Sequence, residues 1–319
     1  MRIKRLAVVS AVLFLIFACT RPPQDIADNF PRSQPLALIV EKVISGYMLG
    51  QTLRYPVGLA VDYYGKIYVC DAGNNRLLRL ADSLVVEREA GGLGSLEGLF
   101  NRPSYIAVDN GLNVVVSDVG NSRLCRHDKD MHFVEAIKLL DPDDPLKFGE
   151  PSGLALTDYG EIWMCDSEKN RIAVFNNIGQ FSRFVGDFGY SGGQLLHPQK
   201  IIRNSRNNFI VCDADNRRLV FYDHYGNFVR EIKNRDFSYP VAVVTDKSDN
   251  LWVLDGATGT VFYMDEKGNT RFQFAAVLPG AQTAMKNPSD LVFLKDGRLL
   301  ISDSGNNRLL VCRILVETQ

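Results

Sequence analysis

One ten-residue segment constrains this chain more than any other: Val69-Cys70-Asp71-Ala72-Gly73-Asn74-Asn75-Arg76-Leu77-Leu78. It returns nearly unchanged as Ile301-Ser302-Asp303-Ser304-Gly305-Asn306-Asn307-Arg308-Leu309-Leu310. Three further copies lie between them, built on Asp118/Arg123, Asp166/Arg171 and Asp213/Arg218. An eroded sixth copy runs Leu254-Asp255-Gly256-Ala257-Thr258-Gly259-Thr260-Val261. The aspartates stand at 71, 118, 166, 213, 255 and 303, so the steps are 47, 48, 47, 42 and 48 residues. A fixed period of this length marks a repeat architecture, in which each unit buries its apolar faces against its neighbours.

Each unit opens with a proline, at 56, 103, 151, 198, 240 and 288. A short apolar run follows, as in Gly58-Leu59-Ala60-Val61, then a turn such as Tyr63-Tyr64-Gly65-Lys66, where glycine supplies a positive φ. A second run, as in Ile67-Tyr68-Val69-Cys70, ends at the motif aspartate. A third starts at the motif arginine, and a fourth follows another turn, as in Phe228-Val229-Arg230-Glu231. No stretch shows helical periodicity. Four short antiparallel strands per unit describe a propeller blade. Six units therefore predict an all-β fold, a six-bladed β-propeller of four-stranded blades. The last unit ends too soon, because only Val316-Glu317-Thr318-Gln319 follow its third strand. The β-branched stretch at 36–45 is expected to complete the last blade and remove the open sheet edge. The propeller domain thus spans residues 36–319.

The run Pro56-Val57-Gly58-Leu59-Ala60-Val61-Asp62, with Ile67-Tyr68-Val69-Cys70-Asp71 and Gly73-Asn74-Asn75-Arg76-Leu77, resembles NHL repeats. So does the linker running from Gly94 through Gly98-Leu99-Phe100-Asn101-Arg102 to Pro103. The resemblance covers residues 36–319 and implies the six-bladed ring. NHL propellers serve as protein-binding, RNA-binding and ligand-sensing modules, and related rings include lyases and lactonases, so the resemblance leaves function open.

The N-terminus reads as a secretory signal. Arg2, Lys4 and Arg5 precede residues 6–18, a run apolar except for Ser10 and too short to span a bilayer comfortably. Its end, Leu15-Ile16-Phe17-Ala18-Cys19, resembles a bacterial lipoprotein signal. That resemblance implies removal of residues 1–18, acylation of Cys19 and, with Thr20 next in place of Asp, the outer rather than the inner membrane. Residues 19–35 hold Pro22, Pro23, Pro31 and Pro35 and read as an extended tether.

A residue repeated around a ring is expected to be structural. Each motif aspartate should accept hydrogen bonds from the loop that follows it, as in an Asx turn, while the arginine five residues on pairs with it. Asp71/Arg76, Asp118/Arg123, Asp166/Arg171, Asp213/Arg218 and Asp303/Arg308 form this set. Cys70, Cys165 and Cys212 share a position with Ser117, Leu254 and Ser302, which suits packing, and successive repeats do not offer disulfide geometry.

Departures from the repeat are the candidate site. Thr260 replaces the arginine of the fifth unit, leaving Asp255 without its expected partner and that sector of the rim open to a ligand. Two residues after each opening proline stand Gly58, Tyr105, Gly153, Lys200, Ala242 and Asp290, expected at the mouth of the central channel. Arg203 interrupts a position held elsewhere by Val61, Val108, Leu156 and Phe293. Tyr105, Lys200, Arg203, Asp290 and Asp255 are thus the candidate binding face. The plainer alternative is that the charges pair with one another, and Lys200→Ala and Asp290→Ala are then expected to leave folding intact only under the pocket reading. Long linkers at 139–149, 186–197 and 278–287 should gather on the face of the Asp/Arg loops, where binding residues commonly sit. Asp141, Asp143 and Asp144 lack a full oxygen-ligand set for a cation.

A net charge of -1 opposes binding driven by nucleic-acid phosphates. The four histidines lack metal-ligand spacing, and no Ser-His-Asp order is suggested. The sequence therefore reads as a monomeric, envelope-anchored scaffold that binds a protein or small-ligand partner through one face, without cofactor or metal and without enzymatic activity. The alternative is a metal-dependent enzyme resembling the six-bladed lactonases or lyases, with a metal held at the inner strand ends.

Overall fold

Strand period and burial build each repeat into a blade. The computed structural model describes residues 35–48, 51–109, 113–139, 146–275 and 283–316. In the first repeat the strands Pro56–Val61, Ile67–Asp71, Arg76–Leu80 and Val86–Gly91 pair antiparallel in that order. The inner three are almost wholly buried because both of their faces meet a neighbouring blade, whereas the outermost is mostly exposed. Repeats two to five follow the same plan.

The sixth blade orders as Asp290–Phe293, Leu299–Asp303, Arg308–Val316 and, outermost, Pro35–Ile44. The N-terminal strand runs antiparallel to the C-terminal one, from Pro35 opposite Val316 to Ile44 opposite Leu309. The ring is closed by this pairing, as the truncated last repeat requires, with the strand one residue earlier than the composition placed it.

Six hydrophobic cores occupy the six junctions between blades. Ile44, Leu59, Val69, Leu300 and Val311 fill the junction of blades six and one. Trp163 stacks on Phe209 between blades three and four, with centroids 3.7 Å apart and planes 12° apart. Each large apolar side chain so buried contributes about 1.5–3 kcal/mol. The five cysteines at 70, 125, 165, 212 and 312 are buried as free thiols in these cores, and burial pushes their thiols up, to about 12 for Cys125 and Cys312.

The blades give the ring two unlike faces. The motif loops and the linkers between blades lie on one, and the turns within each strand pair lie on the other. Because Pro35 pairs at the turn-face end of the last blade, the chain enters the ring from the face opposite the motifs. No helix among the described residues is long and apolar enough to cross a membrane. The expected signal segment, Cys19 and the tether up to residue 34 lie outside the described residues, as do Asp141, Asp143 and Asp144.

Candidate functional site

The motif aspartates and arginines form a repeated staple. Arg Nε meets Asp Oδ2 at 2.7 Å in Asp71/Arg76, 2.8 Å in Asp118/Arg123, 3.1 Å in Asp166/Arg171 and 2.6 Å in both Asp213/Arg218 and Asp303/Arg308. All five carboxylates are inaccessible to solvent. Their second oxygens accept backbone N–H groups from the linker entering the same blade, at Arg54, Asn101, Gly149, Leu196 and Lys286. The loop expected to be capped, the one after the aspartate, is instead a short 3-10 turn in three blades with no cap from the aspartate. Burial pushes the carboxyls of Asp166 and Asp213 up, against the pull of their arginines and hydrogen-bond donors.

The guanidinium groups hold the linkers as well. Arg123 donates to the carbonyls of Ser95, Leu96 and Leu99, and Arg218 to those of Tyr190, Ser191 and Gln194. Those linkers therefore lie on the motif face, where the chain must return to begin each new inner strand.

Arg171 departs from the equivalence expected of the five pairs. Its contact with Asp166 is the longest of the set, and its side chain is 21% exposed against 10% or less for the other four arginines. The cause lies three residues after the aspartate. Asn74, Asn121, Asn216 and Asn306 each donate a side-chain N–H to Oδ2 of their aspartate, but Lys169 stands at that position in the third repeat. Without the asparagine amide to fix that oxygen, the Arg171 guanidinium sits outward. It packs 3.6 Å over the Phe184 ring and donates to the carbonyls of Leu146 and Lys147. The residue remains structural, but it holds its blade as much through the ring and the linker as through the carboxylate.

Asp255 does not open the rim. It is fully buried, and its carboxylate caps the loop that follows it. Oδ1 accepts from Ala257 N, Thr258 N and Thr258 Oγ1, while Oδ2 accepts from Ser238 N and Tyr239 N. With no arginine at position 260, loop donors satisfy the carboxylate.

A cavity of about 480 Å³ opens at the ring axis on the motif face. Every blade contributes the residue before its opening proline and the residue after it. The first set is Tyr55, Arg102, Glu150, His197, Tyr239 and Asn287; the second is Val57, Ser104, Ser152, Gln199, Val241 and Ser289. The residues two after the proline were expected here, yet of these only Tyr105 lines the cavity. In five blades the first strand slips register just past its proline, and such a bulge re-aims the following side chains.

Position two instead faces the next blade. A Cβ on Gly58 would stand 2.4 Å from the Ser104 carbonyl, and one on Gly153 would stand 2.2 Å from that of Gln199. Large and small residues therefore alternate around the ring, as interior positions of closed β structures often do. Tyr105 passes over Gly153 to give its O–H to Gln199 Oε1, 3.0 Å away. Lys200 passes over Ala242 to bond Asp290, also donating to the Leu291 carbonyl. Asp290 leans over Gly58 to accept from Leu59 N at 2.8 Å. Burial pushes the Asp290 carboxyl up, and the Lys200 ammonium opposes it. Lys200 and Asp290 thus pair beneath the cavity instead of facing a ligand. Arg203 lies five residues from the motif end of its strand and bonds Asp158 Oδ1 at 2.6 Å in a turn on the opposite face.

The pre-proline residues are held in an unusual backbone. Tyr55, Arg102, His197 and Asn287 have φ of 51°, 60°, 54° and 45°. Left-handed conformations are costly for bulky residues, and a following proline restricts the backbone further. A latch holds three of them: Asn307, Asn75 and Asn170 of the preceding blades accept the N–H groups of Tyr55, Arg102 and His197, each at 2.8 Å. The asparagines themselves tolerate left-handed backbone, with φ of 54°, 55° and 59°. Within the cavity Arg102 pairs with Glu150 at 3.1 Å, and Tyr239 Oη lies 2.6 Å from His197 Nδ1. The sequence signal for this set was available as large, mostly polar residues before successive prolines.

Residues 108–275, more than half of the chain, match the family described as 6-bladed beta-propeller. The chain belongs to this family. Residues 53–80 and 285–312 of this six-bladed propeller match the NHL repeat. It is 28% identical over 130 residues to Protein brain tumor of Drosophila melanogaster, covering 40% of this chain and 12% of that protein. It is 23% identical over 116 residues to the E3 ubiquitin-protein ligase NHLRC1 of Rattus norvegicus, covering 36% of this chain and 29% of that protein. The matched region is thus less than a third of either relative. Among solved structures, a streptogramin B lyase superposes with a TM-score of 0.61 at 14% identity, covering 87% of this chain and 98% of that one. A Bacteroides thetaiotaomicron protein of unknown function superposes at 0.66 and 16% identity, covering 88% and 76%. Such identities establish a shared fold alone. Among the described residues no three His, Cys, Asp or Glu side chains stand together as a metal-binding group.

Proposed function

We propose that this propeller is a binding module of the bacterial cell envelope, anchored through Cys19, that captures a protein or small-ligand partner at the axial cavity. The left-handed pre-proline residues carry the reading. Four side chains are aimed into one cavity at the cost of backbone strain, about 1–3 kcal/mol at each such residue. Latching asparagines offset that strain at three of the four, and strained residues held in place around a cavity mark function more than stability. The cavity volume lies within the range of about 300–1,000 Å³ usual for ligand sites. The NHL repeat supports a partner-binding role. The entry of the chain at the opposite face supports the anchor reading, because a tether there leaves the cavity facing away from the membrane.

Crosslinking pull-downs from envelope extracts test this, comparing the native chain with Ala257→Trp, which fills the cavity from an exposed loop position. The expected result is a partner retained by the native chain and lost by the variant. A partner set unchanged by Ala257→Trp refutes the cavity as the binding site. Metabolic labelling with a fatty acid, lost in Cys19→Ala, tests the anchor. Metal assay of the purified chain tests the competing metal-dependent lactonase or lyase reading, which requires about one ion per chain.

A further inference from the structure

The hydrogen bonds around the cavity run in one direction, and from them we infer the class of ligand: an uncharged molecule with a carbonyl acceptor and an apolar body. This inference rests on the cavity being the binding site. Tyr105 O–H donates to Gln199 Oε1, which turns the Gln199 NH2 toward His197 Nδ1, 3.3 Å away. Tyr239 O–H reaches the same Nδ1 at 2.6 Å. Burial pushes the Tyr239 phenol up to about 12, so this hydroxyl keeps its proton near neutrality. Asp215 is 4.0 Å from Nδ1, beyond hydrogen-bond reach. A ring nitrogen that accepts from two donors carries no hydrogen, so the imidazole holds a hydrogen on Nε2. That N–H is a donor without a protein acceptor among the described residues, on a side chain lining the cavity. A carbonyl oxygen is its natural complement.

The charges of the lining balance and favour an uncharged ligand. Arg102 and Glu150, the cation and the anion of the lining, are paired with each other, and Lys200 and Asp290 below them are paired as well. A charged ligand would shed water without gaining a free countercharge, whereas an uncharged one carries no such cost. The far wall supplies the apolar complement. Val241 and Ala257 of blade five and Val57 and Ala72 of blade one face blades two to four, with Asn287, Pro288 and Ser289 of blade six between them.

The test uses N-acetyl-L-leucinamide as the uncharged probe, beside N-acetyl-L-leucine, which adds a carboxylate, and L-leucinamide, which adds an ammonium. Each is titrated by NMR into the full chain in detergent. The amide probe is expected to bind at least tenfold more tightly than either charged probe. His197→Phe is expected to lose about tenfold of that binding, the worth of one hydrogen bond. His197→Asn, which tolerates the left-handed backbone and keeps an N–H donor, is expected to retain most of it. Equal binding of the three probes, preference for a charged one, or no binding at all overturns the ligand class. If His197→Phe fails to fold, long-range 1H–15N spectra of the native imidazole decide, and a hydrogen on Nδ1 overturns the inference. The Ala257→Trp pull-down reports separately on whether the cavity is the binding site.

Discussion

Acid should unfold this propeller through one side chain. His127 is 1% exposed and wedged between Phe100 and Phe133, with ring centroids 5.5 and 5.8 Å away. Neither ring nitrogen has a hydrogen-bond partner among the described residues, and the nearby Cys125 backbone approaches the ring without meeting hydrogen-bond geometry. Burial therefore disfavours the imidazolium and holds the group down at about 4, from an ordinary 6.5. The direction follows from linkage. A base whose folded value is depressed is neutral in both states above 6.5 and contributes full stability there. As pH falls below 6.5 the unfolded chain takes up the proton first, and the loss continues until the folded protein titrates near 4. The gap corresponds to about 3 kcal/mol in total and about 2 kcal/mol by pH 5. Urea denaturation of the native chain and of His127→Leu, at pH 7 and pH 5, isolates the effect, because every other titrating group cancels in the difference. The native chain should lose about 2 kcal/mol more than the variant over this interval. At pH 7 the variant should match or exceed the native chain, since it removes unsatisfied buried polar atoms. Parallel losses in the two proteins would show that the imidazole titrates as if exposed and would refute the argument.

Four further outcomes follow from the staple and the ring interior. Arg218→Ala removes the partner of the fully buried Asp213 and three linker bonds, so it should cost about 3–5 kcal/mol in a thermal or chemical melt. Arg123→Ala should likewise lower the melt more than it weakens partner capture, and lost capture with an unchanged melt would contradict the structural role. Gly58→Ala drives a Cβ to 2.4 Å from the Ser104 carbonyl and should cost about 1–3 kcal/mol, measurable as a lowered urea midpoint. Lys200→Ala and Asp290→Ala should each destabilise by about 3–5 kcal/mol, because each strands a buried charge, whereas Lys200→Met with Asp290→Leu should recover most of the loss in the same melts.

The ring was legible because a period of about 47 residues, six prolines and a truncated last unit leave little freedom in how such a chain closes. The Asp/Arg pairing was legible for the same reason: two opposite charges at a fixed offset of five recur across paired strands. The looser seat of Arg171 was not, although its signal stands in the chain as Lys169 where four other repeats carry asparagine. The partners of the aspartate's second oxygen were hidden too, because the linker N–H at residue 54 lies 17 positions upstream of Asp71 and only the folded loop brings it near. The cavity lining was misplaced: it is formed by the residues just before and just after each proline, where the residue two after was expected. Strict alternation would send Lys200 to the mouth, but the register slip after Pro198 turns it toward the neighbouring blade, where it meets Asp290. The left-handed backbone of Tyr55, Arg102 and His197 could not be read from residue types that normally avoid it.

The seam between Pro35–Ile44 and Arg308–Val316 also sets an order of events. The strand translated first among the described elements has its partner strand translated last. Five blades can collapse locally while synthesis proceeds, but the sixth must wait for a contact spanning almost the whole ring. Closing so long a loop is slow, although its entropic cost grows only logarithmically with length. Until then the exposed edges of the Arg308–Val316 strand and of its future partner are available to other chains. The step most exposed to aggregation, and the one a chaperone would most need to guard, is therefore the annealing of this one seam.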